Sequence, residues 1–88
     1  MFLPFLEIHV TTLKEGVASH SPHSHPDEEF ILMRYGIADM NINGKTYRGG
    51  PGSIFFLAGN DPHGIINAGT GPCEYYAIRW LTGPAGSE

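Results

Sequence analysis

A chain of 88 residues is long enough for one small domain and too short for two, so all of its buried groups must share one core. With 41% hydrophobic residues, only 16% charged, twelve glycines and seven prolines, it reads as a globular protein of strands and turns, not as a disordered or helical one. The formal charge of −4 and the scattering of the five bases, Lys14, Arg34, Lys45, Arg48 and Arg79, argue against nucleic acid as a partner.

Near the start, MFLPFLEIHV is apolar, but Pro4 interrupts it and no basic residue precedes Lys14, so neither a signal peptide nor a membrane span is expected. The single cysteine, Cys73, excludes an internal disulfide and fits a cytoplasmic location. In chain order, short β-rich runs are expected at residues 6–13, 19–25, 28–35, 37–42, 45–48, 53–57, 63–67 and 74–81. No stretch keeps a helical apolar period, so the fold class is all-β, a barrel or sandwich. Asn43-Gly44 predicts a two-residue hairpin with positive φ at both positions. Gly36 is expected to bend or bulge a continuing strand. The segments 49–52 and 69–72 read as turns, and residues 83–88 as a loose tail. The whole of 1–88 is read as one domain.

The first run places His9 with Glu7 and Thr11 on one face, opposite Ile8 and Val10, which predicts a surface role for His9. Phe2, Leu3, Phe5 and Leu6 are more apolar than a solvated end requires, and are expected to cover the barrel or form an edge contact in a homodimer.

The chemistry concentrates in the next stretch. His23 and His25 are two residues apart, so in an extended strand their rings project from one face with Cα atoms about 6.5–7 Å apart, within reach of one metal ion. Glu29 follows after Pro26-Asp27 and could return its carboxylate to the same centre, and His63, opening a later strand, would be a fourth donor. Three imidazoles and a carboxylate suit one divalent transition metal (Fe, Mn, Co, Ni, Cu or Zn) better than Mg or Ca. Four protein donors also leave positions open for a ligand, as a closed structural site does not. Glu28 competes for the carboxylate role but would point to the opposite strand face, and His20 falls off the alternation joining His23 to His25.

The stretch from His23 to Gly36 spells His-x-His-x3-Glu-x6-Gly, which resembles the first motif of the cupin superfamily. Gly52, His63 and Asn67 stand at the spacings of the second motif. Two departures are visible. Six residues separate Gly16 from His23 where the motif has five, and the motif's Pro-x-Gly turn falls on Ala58, Gly59 and Asn60, where Asn can still adopt the left-handed conformation. The resemblance implies a cupin-type antiparallel β-barrel, a jelly-roll-like double-stranded β-helix, with the metal on His23, His25, Glu29 and His63. It also implies a metal-dependent enzyme acting on a small organic molecule. A dioxygenase-like oxidoreductase is slightly favoured over a Lewis-acid isomerase, epimerase or lyase. A non-catalytic module binding a sugar or organic acid is the alternative. Glu29 could then serve as a proton acceptor.

Along residues 28–35, Glu29, Ile31, Met33 and Tyr35 share a face, so Ile31 and Met33 are expected in the barrel interior. Arg34, on the other face among Phe30 and Leu32, is expected to reach solvent or to meet an acid across a subunit interface. In the terminal run either Tyr75 and Arg79 or Tyr76 and Trp80 face the interior, and the alternation leaves the parity open. The candidate substrate contacts are Met33, Tyr75 and Arg79, the last as a carboxylate clamp or, more simply, a structural ion pair.

Overall fold

The computed structural model describes residues 5–19 and 28–81. His20, His23, His25, Phe2, Leu3 and the tail 83–88 lie outside the described residues. Among those described, seven strands occur in the order β1 (Phe5–Leu13), β2 (Glu28–Tyr35), β3 (Ala38–Ile42), β4 (Lys45–Gly49), β5 (Ile54–Leu57), β6 (His63–Asn67) and β7 (Cys73–Leu81). Each strand bound lies within one residue of the sequence expectation, because β-branched and aromatic runs end where Gly, Pro and Asn can turn the chain. The run expected at 19–25 falls almost wholly outside the description. Ala18, just before it, forms a bridge to Ile66. Among the described residues no helix is long and apolar enough to cross a membrane.

The strands form two antiparallel sheets, β1-β7-β2-β5 and β4-β3-β6. Their facing sides enclose the core. Ile31, Met33, Phe55, Leu57, Cys73 and Tyr75 come from the larger sheet, Ala38, Met40 and Ile65 from the smaller. Four of these side chains, Met33, Met40, Leu57 and Cys73, are less than 2% exposed, so this layer is well excluded from water.

The turns follow their chemistry. Asn43 and Gly44 have φ of 52° and 84°, the pattern of a type I′ hairpin between β3 and β4. At Gly50-Pro51-Gly52-Ser53 the Ser53 amide donates to Gly50 O at 3.0 Å, with Gly52 at φ 87°.

Gly36 corrects the expectation of one continuing strand. The bulge lies two residues earlier, where the β2–β7 register shifts between Met33 and Tyr35, and Gly36 sits at the corner where the chain leaves the larger sheet for the smaller. It has φ 84°, and a Cβ there would lie 2.4 Å from that of Cys73. No other residue fits so close a crossing.

The larger sheet has two unlike faces. Register puts Glu7, Arg79, Glu29 and Leu57 in one inward row, followed by His9, Ala77, Ile31 and Phe55. The outward rows are Ile8, Ile78, Phe30 and Phe56, then Val10, Tyr76, Leu32 and Ile54. The expected placement of β1 is therefore reversed for its apolar face, with Ile8 and Val10 60% and 57% exposed, while His9 and Thr11 border the space between the sheets and the His9 side chain, 55% exposed, keeps the surface position expected of it. Strand pairing, not the polarity of β1, set its face.

Arg34 reaches solvent, the first of its two expected outcomes, and meets an acid of its own chain: it pairs with Glu74, whose carboxylate also accepts from Thr12 Oγ1 at 2.9 Å.

Candidate functional site

Glu29 and His63 meet across the sandwich. Glu29 lies on β2 beside Arg79 of β7 and Leu57 of β5, while His63 opens β6 opposite Ile42 of β3. Both are buried, at 8% and 5% exposure, with His63 Nε2 3.3 Å from Glu29 Oε1. Glu28, one residue earlier, points outward and accepts from Trp80 Nε1 at 3.1 Å. Alternation along β2 thus sends one of two adjacent carboxylates inward and the other out.

The approach to His63 is held by backbone bonds. The Asp61 amide donates to Ala58 O at 3.2 Å, Asn60 takes φ 70°, and the Asn43 amide donates to Pro62 O at 2.9 Å. Asn60 therefore adopts the left-handed geometry that the motif's glycine would supply. His63 Nδ1 lies 2.9 Å from Asp61 O. A carbonyl can only accept, so this contact assigns the proton to Nδ1 and, in the neutral ring, leaves the lone pair on Nε2 facing Glu29. An outer hydrogen bond of this kind commonly orients a metal-ligating histidine.

Asn67, at the far end of β6, has a structural task. Its Nδ2 donates to Leu13 O at 3.0 Å and Gly71 O at 2.8 Å, and its Oδ1 accepts from the Gly69 amide at 3.0 Å. It ties the ends of three segments together while only 3% exposed.

Glu29 and His63 lie in the wall of a cavity of about 310 Å³. Ile31, Met40, Ile65 and Ala77 form its apolar part, and His9, Thr11, Ser19, Tyr75 and Arg79 its polar part. The parity left open for β7 is now decided: Tyr75 and Arg79 face inward, Tyr76 and Trp80 outward. Met33 packs in the core at 1% exposure and does not line the cavity.

Arg79 donates through Nε to Glu7 Oε1 at 2.9 Å, with Nη2 at 2.7 Å from the same oxygen, and Glu7 Oε2 lies 2.9 Å from His9 Nε2. The Arg79 hydrogen bond holds the Glu7 carboxyl below its ordinary range, against the opposing effect of desolvation. Burial pushes the Tyr75 phenol up, outweighing the nearby Ser19 and Thr11 hydroxyls, so Tyr75 stays a protonated donor.

Thr11 and Ser19 line the cavity without having been expected there, and His9, expected at the surface, borders it as well. The cross-strand opposition of Glu7 and Arg79 was the available signal, since opposite charges favour paired positions. Among the described residues no three His, Cys, Asp or Glu side chains gather as a metal-holding set. Glu29 and His63 are the two sequence-expected donors that fall within the description.

The chain matches the cupin domain family over residues 9–79. Among solved structures it resembles the Cnp3 cupin domain of Schizosaccharomyces pombe (TM-score 0.83, 17% identity, 89% of this chain and 57% of that one). It also resembles a cupin-superfamily sugar phosphate isomerase from Silicibacter pomeroyi (TM-score 0.79, 18% identity, 88% and 51%). A third likeness is to a Thermotoga maritima protein described as a predicted oxalate decarboxylase (TM-score 0.80, 24% identity, 84% and 64%). The chain thus spans between half and two thirds of the length of these structures. No curated protein matches it. With its two antiparallel sheets and a domain match covering most of its length, the chain belongs to the cupin family.

Proposed function

We propose that the cavity is a metal-dependent active site for a small organic molecule, with one divalent transition metal held by His23, His25, Glu29 and His63. The observation that carries this reading is the buried Glu29–His63 pair. With Nδ1 engaged at Asp61 O, a neutral His63 turns the Nε2 lone pair toward a carboxylate oxygen 3.3 Å away. Two acceptors this close repel unless a proton or a metal ion lies between them. Two donors bound about 2.1 Å from one ion, at tetrahedral or octahedral angles, lie roughly 3.0–3.4 Å apart, so the pair has the span of a shared metal. His23 and His25 complete the set by motif spacing.

When bound, such an ion supplies Lewis-acid activation or, if redox-active, electron transfer. The chain's own groups divide the remaining work. Glu29 is placed to accept a proton, Tyr75 to donate a hydrogen bond, and the Glu7–Arg79 pair to fix one polar wall, while Ile31 and Ile65 exclude water from the other. A cavity of about 310 Å³ is near the lower limit for ligand pockets, which fits a small substrate.

Elemental analysis after reconstitution tests the centre. About one equivalent of a transition metal per chain is expected, falling to about a tenth or less in His63→Ala. A wild-type chain that takes up no metal would overturn the reading. A substrate screen with and without O₂ then decides the reaction: oxygen-dependent turnover marks the oxygenase we favour, and oxygen-independent turnover an isomerase, epimerase or lyase. Binding without turnover would reassign the site to a binding module.

A further inference from the structure

We propose that the cavity selects a ligand with two unlike ends: an oxygen head group for the Glu29–His63 end, and an uncharged hydrogen-bonding tail, a hydroxyl, carbonyl or amide, for the hydroxyls of Thr11, Ser19 and Tyr75. This names a substrate class for the metal-dependent site and rests on that reading of the cavity.

Strand register sorts the inward side chains into successive rows. Glu7, Arg79 and Glu29 form the first, His9, Ala77 and Ile31 the second, and Thr11, Tyr75 and Met33 the third. Arg79 and Tyr75 are four residues apart on β7, so their Cα atoms lie about 13 Å apart. Between them Ala77 and Ile31 put an apolar step into the wall. Ser19 reaches the same cavity from outside the larger sheet, its amide donating to Ile65 O at 3.1 Å.

Ser19 Oγ is the observation that points to a ligand. It lines the cavity, is screened from water, and is the one buried side-chain polar atom among the described residues without a hydrogen-bond partner. Folded proteins seldom leave such a group unsatisfied, and a ligand atom in the cavity would satisfy it. Each of the three hydroxyls can donate or accept, so together they can hold a tail that offers an oxygen or an N–H. Burial keeps the Tyr75 phenol protonated and therefore a donor.

The charges decide which tail fits. Of the described residues lining the cavity, Arg79 alone is a lysine or arginine, and it is committed to Glu7, with Nε and Nη2 at 2.9 and 2.7 Å from Oε1. The other Glu7 oxygen lies 2.9 Å from His9 Nε2. A carboxylate or phosphate tail at the hydroxyl row would lose its water without gaining a counter-charge, whereas an uncharged tail exchanges water for hydroxyl partners.

Isothermal titration of the Co²⁺-reconstituted full chain tests this, with succinamate, glutaramate and adipamate set against succinate, glutarate and adipate. Each monoamide shares its partner's length and carboxylate head and differs in the charge of its tail. At one length or more the monoamide is expected to bind about tenfold more tightly than the dicarboxylate. Tyr75→Phe is expected to cut that ratio to about threefold or less at unchanged cobalt content, and Ser19→Ala carries the same expectation should Tyr75→Phe fail to fold. A cobalt-loaded chain that binds the dicarboxylate as tightly as the monoamide at every length, or binds neither, overturns this proposal and leaves the metal centre standing. Folded variants that keep the full ratio overturn it as well. A chain that takes up no cobalt or other transition metal overturns the metal reading and this proposal with it.

Discussion

The two faces of the larger sheet are made by the same residues in alternation, yet they do opposite things. Inward, the rows run from a polar set, Glu7, Arg79 and Glu29, through His9 and Thr11, to the packed Met33 and Cys73. Outward, the rows are apolar in the middle and charged at the ends, with Glu28 beyond one and Arg34–Glu74 beyond the other. The contrast teaches that apolar residues need not mark the core side of a strand in a chain that keeps polar groups inside for chemistry. In β1 the hydrophobic Leu6, Ile8 and Val10 are exposed, because pairing with β7 commits the other face of that stretch to the cavity.

The sharpest way to break the comparison is to truncate neighbours on β5 whose side chains point in opposite directions. Leu57→Ala, at a position with 0% exposure, is expected to cost about 2–5 kcal/mol in urea unfolding. Phe56→Ala, at 56% exposure, is expected to cost less than about 1 kcal/mol where the chain is monomeric, as exposed substitutions usually do. Equal losses in dilute protein would mean that the outward face is already covered within a single chain.

A somewhat smaller effect is expected at the closed end of the inner layer. Asn67→Ala removes three hydrogen bonds and leaves the Leu13 and Gly71 carbonyls without that donor, a loss of about 2–3 kcal/mol in the same assay. Asn67→Asp should not rescue it, since a carboxylate presents acceptors where Nδ2 donates.

The smallest effect lies at the charged end of the outward face. Hydrogen bonds from Arg34 first, then Thr12, hold the Glu74 carboxyl below its ordinary 4.5, outweighing desolvation. A carboxyl whose folded-state pKa is depressed stabilises the fold above its unfolded value and loses that contribution as pH falls through the folded one. The wild-type melting temperature is therefore expected to fall from pH 7 to pH 4 more steeply than that of Glu74→Gln. Glu7 and Asp39, depressed in the same sense by Arg79 and Arg48, retain part of the acid dependence in both proteins. Parallel curves would show that Glu74 adds nothing to it.

Much of this was legible beforehand, and for local reasons. Asn43-Gly44 and Asn60 announced their left-handed turns because few other residues tolerate positive φ. Glu29 was distinguishable from Glu28 because alternation is a property of any strand. The cavity's polar wall was not legible. His9 and Thr11 join Tyr75 and Arg79 only through the β1–β7 register, which pairs residues more than sixty positions apart. The partner of Arg34 was hidden for the same reason, since Glu74 reaches it from the neighbouring strand.

The sequence by itself determined the all-β class, the strand bounds, the turns and the motif spacing that brings Glu29 and His63 forward. Each follows from backbone preferences or a two-residue period, which neighbouring residues express without the rest of the chain. Only the tertiary structure decided which face of β1 and β7 borders the cavity, that Gly36 is a corner between sheets, and that the outward face carries the exposed apolar surface. Those outcomes depend on which strands become neighbours, and strand pairing is a property of the whole fold.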